Sequence, residues 1–132
     1  MNEILLEIRE FIKKGYFTNE ENVRFSLVSR IIQELGWNIW NPKEVATEFN
    51  TVPNEDKSRV DIALFDNSPT PSAFIEIKAM GKLEFDLAKH EVQLRDYNRN
   101  NTAPFSIITD GQLWRFYYSQ TGGEFSQKCF KV

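Results

Sequence analysis

Cysteine is nearly missing from this chain of 132 residues, which contains only Cys129. One thiol cannot form an internal disulfide and cannot build a zinc site that depends on several cysteine ligands. The sequence has no apolar run of the roughly eighteen residues that a membrane-spanning helix needs. Met1 leads directly into polar residues without a signal-peptide pattern. We therefore expect a protein of the reducing cytoplasm that does not interact with a membrane.

Several familiar catalytic motifs are also absent. The chain has no G-x-x-x-x-G-K-[ST] phosphate loop, so it is not by itself a nucleotide-driven motor. It has neither the G-x-S-x-G turn of an α/β-hydrolase nor a dinucleotide-binding glycine pattern. The single histidine, His90, has no recognisable partner in the sequence, and we expect it at the surface.

An excess of basic residues is missing too. The chain has 16 Lys and Arg against 19 Asp and Glu, a formal net charge of −3. Proteins that bind nucleic acids usually carry a basic excess, so this balance predicts weak intrinsic affinity for DNA. A group of basic residues does occur in the second half of the chain: Lys78, Lys82, Lys89, Arg95 and Arg99. If DNA is the ligand, a partner or a second domain is expected to supply much of the binding.

The apolar content is high enough for a folded domain, since 41% of the residues are hydrophobic and 14% aromatic. Apolar residues at helical spacing predict a first helix that ends at Gly15 and a second helix from Thr18 or Asn19 to Gly36. Strands are expected at 45–49, 60–65 and 73–79, followed by a helix at 85–98 and by two strands on either side of the Asp110-Gly111 turn.

This order, α-α-β-β-β-α-β-β, predicts an α/β fold in which a mixed central sheet is flanked by helices. We assign residues 1–132 to a single domain, with an N-terminal helix at 1–16 and a core at 17–118.

Two apolar strands carry charges where a strand interior should be dry. Asp61 lies in the first strand, and Glu76 and Lys78 lie two residues apart in the second, so they share a face. The turn-forming segment 66–72 would pair the strands as a hairpin and bring the three charges together. Two carboxylates can hold Mg²⁺, a lysine can orient a water molecule, and the Ile77 carbonyl can complete the metal shell. The alternative is a solvated strand face with no catalytic role.

Asp61 and, fifteen positions on, Glu76-Ile77-Lys78 resemble the D…(D/E)-x-K signature of the restriction-endonuclease-like nucleases. The flanking segments extend the resemblance. These are the motif at 19–24 leading to Leu-Gly-Trp at 35–37, the Q-x-x-x-Y pattern of Gln93 and Tyr97, and the closing segment 105–117. The whole pattern resembles the N-terminal nuclease domain of type I restriction enzyme R subunits and the type IV-like restriction endonucleases, over roughly residues 17–118.

This resemblance implies a restriction-endonuclease-like core and a Mg²⁺-dependent endonuclease, with Mn²⁺ as a possible substitute, that cleaves DNA in restriction of foreign DNA. It assigns metal binding to Asp61 and Glu76 and catalysis to these two residues and Lys78. Gln93 and Tyr97 would support the site or contact DNA. Restriction-modification subunits are implied partners, in a homodimer or a partner complex. The alternative is a non-catalytic DNA-binding or assembly module with the same fold.

Glu21 has two interpretations. With Thr18 it fits a capping box, in which the glutamate side chain bonds to the backbone of the cap residue. The resemblance instead makes Glu21 a further metal ligand, because related nucleases bring a glutamate of the first core helix to the metal. Glu20, one residue away, is expected to face elsewhere, since helix neighbours are about 100° apart.

Overall fold

The computed structural model describes residues 1–50, 59–84, 87–98, 103–118 and 129–131. The helical elements are α1 (Asn2–Lys13), α2 (Glu20–Val23), a π-helical turn (Arg24–Val28), α3 (Ser29–Glu34) and α4 (Leu87–Asn98). The strands are β1 (Val45–Asn50), β2 (Arg59–Leu64), β3 (Ala73–Ile77), β4 (Phe105–Thr109), β5 (Trp114–Tyr118) and β6 (Cys129–Lys131). No helix in these ranges is long and apolar enough to cross a membrane.

The strands form one six-stranded sheet in chain order, β1-β2-β3-β4-β5-β6. Neighbouring strands are antiparallel except β3 and β4, which are parallel. A parallel pair needs a long crossover connection, and α4 lies in the segment between these two strands. The predicted α/β class and mixed sheet are confirmed, as is the antiparallel pairing of β2 with β3.

Each face of the sheet is covered by a separate apolar cluster. On one face, helices α1 to α3 pack against β1, β2 and β3 through residues that include Ile8, Leu27, Ile62 and Ile75. On the other face, α4 packs through Leu94 against a cluster that also contains Val60, Ala63, Phe74, Leu83, Ala103, Ile108 and Tyr117. Because successive strand residues point to opposite faces, β3 contributes to both clusters and is buried along its whole length.

The second predicted helix is interrupted. Its middle turn is π-helical, so the Ser29 amide donates to the carbonyl oxygen of Arg24, and the Ser29 hydroxyl donates to the same oxygen at 2.8 Å. Val23, Leu27 and Val28 are all fully buried around this wider turn. The sequence pattern did not predict the interruption, because α-helical spacing fits the same apolar positions.

The turn between β4 and β5 confirms the predicted Asp110-Gly111 hairpin. The buried Asp110 carboxylate accepts hydrogen bonds from the amides of Gln112 and Leu113 at 3.0 and 2.9 Å. Its other oxygen accepts from the amide of Leu83 at 3.2 Å. One aspartate therefore joins the hairpin turn to the loop that follows β3.

Other elements agree with their predicted positions within a few residues. Helix α1 ends at Lys13, and Gly15 follows with a φ of +70°. Positions 85 and 86 of the predicted third helix lie outside the described residues. Strand β6 lies beyond the predicted core and was not expected; it pairs with β5. The assignment of residues 1–132 to one domain stays a prediction.

Candidate active site

The backbone pairing between β2 and β3 ends next to their charged residues, Asp61 and Glu76. Their last paired residues are Ile62 and Ile75. One residue further on, the Asp61 side chain reaches β3, and its Oδ2 accepts a hydrogen bond from the Ile77 amide at 2.7 Å. A carboxylate thus occupies the position of a strand carbonyl, and it is held at the end of β3 by the backbone.

The backbone is also irregular on β1, which pairs with the other edge of β2. Thr47 pairs with Ile62, and Phe49 pairs with Val60. Glu48, opposite Asp61, has a φ of +51°. A side chain other than glycine in this left-handed region costs about 1–3 kcal/mol, and such residues cluster at functional sites. The backbone is therefore strained on the strand next to Asp61.

Glu76 and Lys78 lie together at the end of β3. Glu76 is only 3% exposed, and Lys78 Nζ lies 4.0 Å from Glu76 Oε2. A buried carboxylate is costly unless it is paired, and a lysine two residues along the strand provides a partner. The structure therefore brings together the three charged residues that the sequence singled out, with Asp61 on the adjoining strand.

Gln93 reaches this group from helix α4. Lys78 Nζ donates a hydrogen bond to Gln93 Oε1 at 3.2 Å. The ammonium group is thus held between a carboxylate and an amide oxygen. The predicted placement of Gln93 beside Lys78 is confirmed, whereas the side chain of Tyr97 lies outside the described part of the structure.

Glu21 does not form the predicted capping box. The N-cap is Asn19, whose Oδ1 accepts a hydrogen bond from the Asn22 amide at 2.8 Å. The carboxylate of Glu21 instead accepts from Arg24 Nη2 at 2.5 Å, and Arg24 Nη1 bonds to Glu48 at 2.8 Å. The Glu21 side chain is therefore engaged in an exposed ion pair.

Glu20 is the helix carboxylate that interacts electrostatically with the site. Burial raises the pKa of Glu20, and repulsion from Asp61 raises it further, against an attraction from Lys78 that lowers it. Glu20 was expected to face elsewhere, but it lies within electrostatic reach of Asp61 and Lys78. A signal was present in the sequence, because Asn is a stronger N-cap than Thr. With the cap at Asn19, the third helical position is Asn22, so Glu21 is not placed to close a capping box.

The donor set fits one class of metal. In the described ranges, no group of three or more His, Cys, Asp and Glu side chains could hold a metal ion. The described side chains therefore do not form a closed zinc site or a calcium site of several carboxylates. Mg²⁺ is usually bound through one or two carboxylates together with water and substrate phosphate oxygens. Asp61 and Glu76 supply such a pair, which would suit Mg²⁺ or Mn²⁺.

Exposed basic side chains lie close in sequence to this group. Lys82 follows β3, and Lys89 and Arg95 are on α4. Arg95 is paired with Asp96 at 3.2 Å, which reduces its net charge contribution. Arg99 lies outside the described residues.

The fold and the site together define an α/β protein with two carboxylates, a lysine and a glutamine at the end of its central strands. Residues 19–128 match the model of the family described as type I restriction enzyme R protein N terminus (HSDR_N). The chain belongs to this family, which confirms the resemblance seen in its motifs and supports a role related to restriction. No curated protein sequence matches the chain. The family match excludes α1 and includes every candidate site residue.

Proposed function

We propose that the chain is a magnesium-dependent endonuclease with a restriction-endonuclease-like core, which hydrolyses DNA phosphodiester bonds in restriction of foreign DNA in the cytoplasm. The observation that carries the proposal is the contact between the Asp61 carboxylate and the Ile77 amide. This contact holds one carboxylate beside a second one, the buried Glu76, and close to the Lys78 ammonium group. Membership of the family supports a function in restriction.

Asp61 and Glu76 would hold the metal ion, which when bound would polarise a phosphate oxygen and favour ionisation of water. The Ile77 carbonyl would be a third ligand. Its amide points toward Asp61, and the N–H and C=O of one strand residue point to the same edge. We propose Glu20 in place of Glu21 as the outer ligand, because the charge of Asp61 contributes to the raised pKa of Glu20 and the Glu21 carboxylate is engaged with Arg24.

Lys78 would orient the attacking water and stabilise negative charge on the phosphate as it develops. The oxygen of this water bonds to phosphorus as the water gives up a proton to solvent, the bond from phosphorus to the leaving sugar oxygen breaks, and that oxygen takes up a proton from solvent. Gln93 restricts the position of the Lys78 ammonium through its amide oxygen. Tyr97, on the same helix, remains the second proposed contact to DNA.

Lys78→Met tests the proposal against a non-catalytic module. We expect the variant to bind Mg²⁺ in calorimetry but to cleave supercoiled plasmid at least roughly a hundredfold more slowly, since a positioned proton-transfer group contributes about 10²–10⁴-fold. Lys14→Met is the control, because this lysine is exposed directly after α1 and lies outside the residues that match the family. If the wild type binds DNA but does not nick it in Mg²⁺ or Mn²⁺, the chain is a binding or assembly module.

DNA and restriction-modification subunits are the proposed partners. One site of this kind hydrolyses one strand, so double-strand cleavage would need a second copy of the chain or a partner complex. The net charge of −3 supports this arrangement, because the chain alone has little electrostatic attraction for DNA.

Glu20→Gln and Glu21→Gln separate the two helix carboxylates. We expect Glu20→Gln to weaken Mg²⁺ binding by roughly 10- to 100-fold, the usual effect of removing an outer-shell partner of a metal site. Glu21→Gln is the matched control and should leave the affinity nearly unchanged, because Arg24 already holds that carboxylate. Calorimetric titration measures both. Equal affinities for the two variants would show that Glu20 is not a ligand.

The raised pKa of Glu20 predicts that the effect of Glu20→Gln on stability depends on pH. The pKa of Glu20 is raised above 4.5 in the folded protein, so folding disfavours its charged form. The stabilisation from the protonated carboxyl is fully present at low pH and is lost as pH rises through the folded pKa. Glu20→Gln should therefore raise the melting temperature at pH 7, and this gain should shrink below pH 4.5. A constant gain across this range would contradict the assignment.

A further inference from the structure

Helix α4 brings Gln93 to Lys78, yet its apolar contact with the sheet is narrow. Among its described side chains, Leu94 is fully buried and Leu87 is partly buried in the cluster beneath the helix, whereas Val92 is exposed. Burial of one leucine stabilises packing but is non-directional. Apolar contact alone does not fix the rotation of this helix about its axis.

A buried polar contact lies on the other flank of α4. Tyr117 of β5 is fully buried and donates its hydroxyl proton to Glu91 Oε2 at 2.6 Å. Arg115 Nε donates to the Tyr117 oxygen at 3.1 Å, and Arg115 Nη1 lies 3.9 Å from Glu84. Burial and the hydrogen bond to Glu91 raise the pKa of Tyr117 above its usual value. The hydroxyl therefore keeps its proton at neutral pH and remains a donor.

The contacts of Glu91 and Gln93 lie on opposite sides of Leu94. At about 100° per residue, Glu91 is about 60° from Leu94 in one direction and Gln93 about 100° in the other. Gln93 meets Lys78 directly after β3, whereas Glu91 meets Tyr117 on β5. If the contact on one flank is lost, the helix can turn about Leu94 and shift the side chain on the other flank.

We infer that Tyr117 is a positioning residue for the site: its hydroxyl, acting through Glu91, sets the rotation of α4 that places Gln93 on Lys78. The effect on cleavage rests on the proposed nuclease function. The contact between Gln93 and Lys78 can be measured without DNA or metal, so the two ideas can fail separately.

Tyr117→Phe removes only the hydroxyl, and Ser106→Ala is its matched control. Ser106 pairs with Tyr117 across the ladder between β4 and β5 and is also fully buried. Its hydroxyl has no hydrogen-bond partner among the described atoms. The two variants therefore remove one buried oxygen each from neighbouring positions, and only the first removes a contact to α4.

The first measurement is the NMR signal of the Gln93 side-chain amide in the protein alone. Lys78→Met provides the reference position of this signal when the contact is absent. Tyr117→Phe is expected to move the signal toward that reference, and Ser106→Ala to leave it in place. If the Tyr117→Phe signal stays at its wild-type position, the inference is wrong, whatever the protein does to DNA.

The second measurement is the single-turnover cleavage rate in saturating Mg²⁺, well below the melting temperature. Tyr117→Phe should slow cleavage roughly tenfold or more, because a misplacement of about 1 Å can cost up to a hundredfold. In a Gln93→Ala background the same change should have no further effect. A purely structural role of Tyr117 predicts the same loss of cleavage rate in the wild-type and Gln93→Ala backgrounds. That result would overturn the inference.

Glu91 provides a rescue test. Glu91→Gln keeps an oxygen that can accept the Tyr117 proton and should retain most of the cleavage rate. Glu91→Leu should behave as Tyr117→Phe. Equal rates for the two Glu91 variants would contradict the proposed role of the hydrogen bond. If the wild type does not cleave at all, the nuclease proposal fails, and the NMR comparison still decides whether Tyr117 positions Gln93.

Discussion

Asp61→Asn and Glu76→Gln are each expected to lower magnesium-dependent DNA cleavage by about a thousandfold or more, which corresponds to about 4 kcal/mol of transition-state stabilisation. Each change removes one of the two anionic ligands while nearly preserving side-chain shape. The amide oxygen of asparagine can still accept the hydrogen bond from Ile77, so folding should be retained. Single-turnover nicking of supercoiled plasmid measures the loss, and calorimetry measures Mg²⁺ binding.

Asp66→Asn is the matched control, because this aspartate lies just beyond β2 and its side chain is exposed. It should cleave at the wild-type rate. Wild-type nicking by Asp61→Asn or Glu76→Gln at saturating Mg²⁺ would remove these residues from the active site. Loss of nicking with unchanged Mg²⁺ affinity would show that the carboxylates act on DNA and not on the metal.

Alanine is a less informative substitution at position 61. From the sequence alone, Asp61→Ala is expected to abolish cleavage and leave the fold intact. The structure shows that the Asp61 side chain accepts a backbone hydrogen bond from Ile77. Alanine would leave this amide without its acceptor, at a cost of about 1–3 kcal/mol. A lower melting temperature of Asp61→Ala relative to Asp61→Asn would confirm this structural contribution.

The elements of the fold that could be predicted are those encoded locally. The runs 60–65 and 73–79 are apolar on both faces, and the connecting segment is rich in turn formers, so β2 and β3 and their pairing followed directly. Asp110-Gly111 predicted its hairpin for the same reason. The end of the backbone pairing between β2 and β3 at Asp61 was not predicted. No local pattern contains that information.

The choice between Glu20 and Glu21 shows how sensitive site assignment is to helix phase. The structure places Glu20 within electrostatic reach of Asp61 and pairs Glu21 with Arg24, whereas the sequence pattern indicated Glu21. The sequence assigned a glutamate of this helix to the site, and the structure adds Glu20 as a candidate beside Glu21. The metal role of either residue stays a prediction.

The contact between Tyr117 and Glu91 was not accessible from the sequence. The two residues are 26 positions apart and meet only after β5 has joined the sheet. A weak signal existed, because Glu91 occupies a helical position three residues before the buried Leu94 and thus near the same face. An acidic residue there indicates either a surface position or a buried partner, and only the fold distinguishes them.

Gly111→Ala is expected to destabilise the protein by about 2–6 kcal/mol, a large part of the 5–15 kcal/mol that typically stabilises a domain. Two effects contribute. Gly111 has a φ of +94°, which is strained for any other residue. A Cβ atom there would lie 2.9 Å from Leu27 Cδ1 and 3.2 Å from Val23 Cγ1. Both side chains are fully buried, so neither can move away without disturbing the core.

Gly36→Ala separates these two effects. Gly36 has a comparable φ of +107°, but a Cβ atom there would have nothing within 4 Å. The control should therefore show only the backbone strain, about 1–3 kcal/mol. Urea unfolding of both variants gives the difference, which is the cost of forcing the β4–β5 turn away from Val23 and Leu27. If the two losses are equal, the core absorbs the extra methyl group. If Gly111→Ala loses clearly more, the hairpin turn is held against the π-helical turn by close packing, which fixes the helix that carries Glu20 relative to the strands that carry Asp61 and Glu76.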